Sequence, residues 1–280
     1  MRKGRNDQTE EAIQKKRQAG FGQGTGSEYM PWLSVRNISS RGRSCRLYNP
    51  KIGREMTCFS KLEELYCCKL MWADEVIDIR EQYPLLPREE TQRIAEKLGI
   101  RHPRIPGADN DMVMTTDFLL TIEKEGKRFL SARYVKPKDE LEKKRVREKL
   151  LIEKTYWEEK GIEFKVVTEE AVNRTESKNI AFLMSYYNIP GGTGEAEEER
   201  IRKLIWETII EASSMKIYEY VSTIDEIYSL GNEKTWAILY HMMAHKEIPV
   251  KISGTEIMGT AKMEAVIEYN RLDKTCRGIK

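Results

Sequence analysis

The chain has 280 residues, of which 33% are charged and 40% apolar, and its formal net charge is +3. That length admits two domains of ordinary size, and that balance excludes a disordered chain. No apolar run approaches the ~20 residues that span a bilayer, and the charged start MRKGRNDQTEEAIQ lacks the apolar stretch of a secretory signal; a cytoplasmic protein with no membrane partner is expected.

Cys45, Cys58, Cys67, Cys68 and Cys276 are odd in number and lack paired CxxC spacing. They argue for reduced thiols and against a disulfide framework or a structural zinc site. Charge is unevenly spread. Residues 1–60 carry twelve Lys or Arg against five Asp or Glu, whereas residues 191–280 carry twelve against fifteen. A basic N-terminal arm suits a phosphate backbone, and the acidic last third reads as a protein-contacting module.

In chain order, AGFGQGTGSEY spaces out four glycines before Pro31 and Trp32. Such density forbids a regular element and lets the backbone approach another surface closely. No Gly-Lys-Ser/Thr follows, so it is not a phosphate-binding P-loop. SSRGRSCRLYNPKIGR then sets Arg41, Arg43, Arg46, Lys51 and Arg54 around Tyr48 and two glycines, which predicts a basic hairpin or loop.

Ser60 with Glu63 three residues on predicts a capped helix running to about Trp72. Val76–Glu81 alternates as a strand, and Arg88–Leu98 reads as a helix stopped by Gly99. Met112–Ile122 and Phe129–Val135 are predicted strands joined by a turn at Glu125-Gly126-Lys127, with Pro137 ending the second. A long charged helix at Asp139–Lys160 and a strand at Glu163–Val167 complete an α/β pattern. Ile189-Pro190-Gly191-Gly192-Thr193-Gly194-Glu195 reads as a linker, with a domain boundary in or shortly before it. Helices at Glu197–Lys216, Ser222–Leu230 and Lys234–His245, then extended pieces at Pro249–Ser253 and Ala265–Tyr269, follow the order of a winged helix-turn-helix.

Hydrolysis of a phosphodiester needs an aligned, activated water and compensation for charge on the phosphoryl and leaving oxygens. A hairpin turning near Gly126 places Asp117 and Lys136 at one end of the sheet, with the Val135 carbonyl beside them. Glu63, one turn into the preceding helix, could add a second carboxylate. By itself such a trio is a weak pattern. Glu64 rivals Glu63, and Lys138 rivals Lys136. His241 and His245 stand at i, i+4 without the glutamate of HExxH or a third ligand, so a packing or surface pair is preferred to zinc.

The stretches GQGTGSEYMPWLSV, GRSCRLYNPKIGR, WADEVIDIREQYPLLP, MTTDFLL and YVKPK are more specific. In this order, over about residues 10–168, they resemble TnsA, the endonuclease subunit of heteromeric transposases. The resemblance implies a restriction-endonuclease-like nuclease core at 59–170, of the PD-(D/E)xK type. It follows a basic, Gly-rich arm and hairpin at 1–58 and precedes a winged-helix partner-binding domain at 171–280. It also implies an Mg²⁺-dependent endonuclease that cleaves the 5′, non-transferred strands at transposon ends. The expected partners are double-stranded DNA, a TnsB-type DDE transposase and, through the C-terminal domain, a TnsC-type ATPase.

By this resemblance the catalytic residues are Glu63, Asp117 and Lys136, and the metal ligands Glu63, Asp117 and the Val135 carbonyl. Tyr134 stands where the family commonly has Gln, and a neutral phenol is a poor Mg²⁺ ligand. That departure keeps open a second reading, a weakly active or inactive subunit that bridges DNA and docks partners. Gln82 and Glu153 are further near-site residues, although a solvated helix position is the plainer reading of Glu153. Arg41, Arg43, Arg46, Lys51, Tyr48 and Trp32 are the DNA-contact candidates, with Arg and Lys on phosphates.

Overall fold

The computed structural model describes residues 9–34, 44–105, 110–189, 194–230 and 232–276. Two compact units emerge, Met1–Val172 and Asn173–Lys280. The divide lies before the proline- and glycine-rich segment, of which residues 190–193 fall outside the described residues.

The first unit is built on a four-stranded sheet of order β3-β4-β5-β6: β3 (Val76–Pro84), β4 (Thr115–Lys124), β5 (Lys127–Val135) and β6 (Glu163–Val167). The first two pairings are antiparallel and the third is parallel. The β4–β5 hairpin closes at Lys124↔Lys127, with Glu125 at φ 52° and Gly126 at φ 71°. Two positive φ values match the twist of the flanking strands, so this loop fixes the hairpin register.

The two faces of the sheet are covered by different helices. Helix α2 (Lys61–Trp72) is capped by Ser60, whose hydroxyl accepts the Glu63 N–H at 3.1 Å. Tyr66 on α2 meets Phe118 with ring centroids 6.2 Å apart and accepts the Nε–H of Arg133 at 3.2 Å. Leu119 and Ala132 instead pack with Ile94 of α3 (Arg88–Lys97) and Ile152, Tyr156 and Trp157 of α4 (Lys144–Glu159). Burial on this scale, about 25 cal/mol per Å² of apolar surface, is what holds both layers to the sheet. The long helix expected at Asp139–Lys160 is divided: a 3₁₀ turn at Asp139–Glu142 precedes α4, because Lys143 is extended at ψ 123°.

Residues 9–34 of the N-terminal region are folded, and their glycine segment lies against β3. Helix α1 (Glu10–Gln18), capped by Thr9, was not expected from a stretch whose sequence is mostly charged. The glycine segment folds back on itself, with Gly22 N–H donating to Met30 O at 2.6 Å. Gly22 has φ 73°, and a Cβ there would lie 2.4 Å from Pro84 Cγ, so only glycine lets the segment lie against β3. A hairpin of β1 (Cys45–Asn49) and β2 (Arg54–Cys58) follows, as the basic stretch predicts.

Arg54 binds this hairpin to β3. Its guanidinium donates to both carboxylate oxygens of Glu81, at 2.9 and 2.6 Å, and also to the carbonyls of Ile79 and Gly26. Arg54 is 8% exposed and Glu81 0%. Glu81 also accepts the Thr57 N–H, so the buried pair is saturated with hydrogen bonds.

The second unit is helical: α5 (Arg174–Met184), α6 (Glu195–Thr208), α7 (Ile217–Tyr228), α8 (Asn232–Ala244), the short α9 (Met263–Val266) and α10 (Tyr269–Cys276). The expected strand pair at Pro249–Ser253 and Ala265–Tyr269 is reduced to one antiparallel bridge, Val250↔Ile267. Residues 263–266 and 269–276 turn helical instead. Helix α5 is legible only in the structure, because its buried face includes Ser177 and Asn179, which blur the apolar period. Asn179 donates to the carbonyls of Ile252 and Thr255 and accepts the Ile257 N–H, which ties down the loop after α8. His241 and His245 bond the carbonyls of Tyr186 and Tyr187, a structural use of both rings.

Among the described residues no helix is long and apolar enough to cross a membrane. The described cysteines, Cys45, Cys58, Cys67 and Cys68, are free thiols.

Candidate active site

The β4–β5 ladder stops at Phe118↔Arg133, one residue short of Asp117. Beyond that point β5 pairs only with β6, through Tyr134↔Val166 and Val135↔Val167. The Val135 N–H that would have faced β4 donates instead to Asp117 Oδ2, at 2.7 Å. The strands thus part at the aspartate, and its carboxylate fills the place of a ladder carbonyl.

Glu63 and Lys136 converge on the same place. Glu63 is buried, and its carboxylate accepts the Phe59 N–H and the Ser60 hydroxyl, each at 2.9 Å. One side chain therefore bonds the start of α2 and also stands close enough to Asp117 and Lys136 to feel their charges. Burial, and next the Asp117 charge, push the Glu63 carboxyl up to about 7, against the pull of its two hydrogen bonds and of Lys136. Burial likewise raises Asp117 to about 6, against the Val135 N–H, Lys136 and Gln82. Burial is the largest cause of both shifts, because an apolar surrounding disfavours the charged form of each carboxyl. The rivals are elsewhere: Glu64 pairs with Lys61, and Lys138 pairs with Glu170 on the exposed surface.

Three further residues line this centre. Gln82 is buried and sets Nε2 3.5 Å from Asp117 Oδ1, while its Oε1 accepts the Thr115 hydroxyl at 3.1 Å. Glu153 is not a solvated helix residue: it is 2% exposed and bonded to the Thr116 hydroxyl. Burial and the Asp117 charge push its carboxyl well above the ordinary carboxylate range, against the pull of the Thr116 hydroxyl and Lys136. Tyr134 is half-buried, and burial together with Glu153 and Asp117 raises its phenol, which stays protonated. The Lys136 ammonium stands 6.0 Å from the Tyr134 ring centroid. Sequence reasoning missed Thr115 and Thr116, which buttress Gln82 and Glu153. Near Lys136, the Lys149 ammonium is pushed down by burial, Arg145 and Lys136.

The DNA-contact candidates divide. Arg46 and Tyr48 project from β1; Tyr48 is 56% exposed, and Arg46 makes a solvent-exposed pair with Glu55 at 3.6 Å. Lys51 reaches back to the Ala73 carbonyl at 3.0 Å. Arg41 and Arg43 lie outside the described residues. Trp32 is a correction: it is 1% exposed and packs with Ile13 and Val113, because the glycine segment folds inward and carries it into the core.

A divalent cation suits this donor set. Among the described residues no group of three or more His, Cys, Asp or Glu side chains is arranged to hold a metal. Two carboxylates with a backbone carbonyl match Mg²⁺, which binds through one or two carboxylates and takes the rest from water and phosphate.

The sequence matches the family described as TnsA-like endonuclease N terminal over residues 73–169. It also matches the one described as TnsA endonuclease C terminal over residues 172–252. It is 35% identical over 254 residues to the transposon Tn7 transposition protein TnsA of Escherichia coli, covering 90% of each chain.

Proposed function

The chain belongs to the TnsA endonuclease family, and from that premise we propose that it is the Mg²⁺-dependent subunit that cuts the 5′, non-transferred strands at transposon ends. The observation that supports this reading is the parting of β4 and β5 at Asp117, with Glu63 of α2 close enough to feel the charges of Asp117 and Lys136. We read the first unit as restriction-endonuclease-like and the second as winged-helix-like in helix order. The subunit acts on double-stranded DNA in a complex with a DDE transposase and, through Asn173–Lys280, an ATPase.

Glu63, Asp117 and the Val135 carbonyl would hold the cation. When bound, it would offset negative charge on the phosphoryl oxygens and activate a water for attack. Lys136 stabilises charge that develops in the transition state. Tyr134, protonated, serves as a hydrogen-bond donor and not as a ligand. Arg46 and Tyr48 on the hairpin take the duplex backbone, which positions it without reading sequence.

Metal binding carries a pH signature. Both carboxyls stand above their ordinary values of 4.5 and 3.8, so their contribution to metal-free stability is complete below those values. It is lost as pH rises through about 6 and about 7. Mg²⁺ competes with the same protons, so it should raise the melting temperature more at about pH 8 than at about pH 5. Equal shifts at both would contradict a cation between these two groups.

The function is tested by incubating end-bearing DNA in Mg²⁺ with the partner transposase and ATPase, with and without this chain, and resolving the strands on a denaturing gel. Cuts at the 5′ strands should require the chain. An unchanged pattern would favour a bridging and docking subunit, the reading that Tyr134 keeps open.

A further inference from the structure

Four non-glycine residues in the described structure have positive φ: Gln82, Glu125, Ser229 and Lys246. Glu125 lies in a two-residue turn, Ser229 is a helix C-cap, and Lys246 follows α8. Gln82, at φ 49°, sits inside β3. A bulky residue there is strained and persists only where its surroundings over-determine it.

The surroundings do so from both sides. The preceding residue, Glu81, is locked by Arg54, and its carbonyl accepts the Tyr29 hydroxyl at 3.0 Å. Two residues on, Pro84 lies against Gly22. The twist has two consequences. The β3–β4 register runs from Glu81↔Phe118 to Tyr83↔Thr116, and the Gln82 carbonyl leaves the ladder to accept the Trp32 N–H at 3.3 Å. The carboxamide is held between the Thr115 hydroxyl and Asp117. Because Thr115 donates to Oε1, the amide must present its N–H to the carboxylate, which can only accept.

We propose that Gln82 is a positioning residue for Asp117, and that the N-terminal segment Gly20–Leu33 sets its geometry. With Val135 N–H on Oδ2 and Gln82 Nε2 3.5 Å from Oδ1, each carboxylate oxygen faces a donor, which would hold the group's orientation toward a bound cation. Hydrogen-bonded partners of ligating carboxylates are worth about 10–100-fold in metal affinity. The inference rests on the reading of Asp117 as a metal ligand.

The test uses the full chain, with Mn²⁺ as the probe and affinity read by calorimetry alongside thermal melts without metal. Gln82→Gly accepts the left-handed backbone, so it should fold within a few degrees of the wild type while binding Mn²⁺ about tenfold or more weakly. Gln82→Ala should bind equally weakly. Asp117→Asn, titrated in parallel, should lose binding. Wild-type affinity in Gln82→Gly together with lost binding in Asp117→Asn overturns the role of Gln82 alone. Unchanged binding in Asp117→Asn, or no binding by the wild type, overturns the ligand reading and this inference with it.

Discussion

Asp117→Asn should leave the chain folded and lower 5′-strand cleavage roughly a thousandfold, the equivalent of about 4 kcal/mol of transition-state stabilisation. The substitution keeps the shape of the side chain, and its carbonyl oxygen can still accept the Val135 N–H. It removes the negative charge and turns an amide N–H₂ toward the cation. Stability should hold or rise. Burial holds the native carboxyl at about 6, so the folded state carries a charge it resists at neutral pH, and the amide removes that cost. Lost activity with undiminished melting temperature separates a chemical role from a packing role. Activity within a few-fold of wild type would remove Asp117 from the chemistry.

Arg54→Ala and Glu81→Ala should each destabilise the first unit by about 3–5 kcal/mol, because either change strands a buried, unpaired charge. For a unit of this size that is a fall in melting temperature on the order of 10 °C. The pair joins the β1–β2 hairpin, the glycine segment and β3, so the loss reaches the backbone beside Gln82. Arg54→Met with Glu81→Leu should recover part of the loss, since an apolar replacement leaves no orphan charge. Denaturant unfolding followed by circular dichroism measures all three. A single-variant loss below about 1 kcal/mol would mean the pair is not the tie it resembles.

Where local chemistry and tertiary packing agree, the sequence reads through to the fold. Glu125-Gly126 can close only a tight hairpin, and Ser60 caps α2 as its spacing with Glu63 predicts. Those two features place Asp117, Lys136 and Glu63 at one centre. The rest depends on contacts distant in sequence. Nothing local to Gln82 announces a left-handed residue inside a strand; Arg54, Tyr29 and Trp32 impose it. Trp32 reads as an exposed aromatic until the glycines turn it inward. Glu153 reads as one more charge on a charged helix, until α4 packs it against β4. In the second unit, alternation near Val250 and Ile267 suggests strands, yet it yields a single bridge because helical turns claim the flanking residues.

A cation held where β4 and β5 part is what a nuclease centre here requires. Crystals of the full chain soaked in Mn²⁺ and measured at the manganese absorption edge should show an anomalous peak among the carboxylates of Glu63 and Asp117 and the Val135 carbonyl. The oxygen distances should be a little over 2 Å. A peak bound elsewhere, or none at this position while the protein stays folded, would contradict the assignment of this centre as a metal-dependent nuclease site.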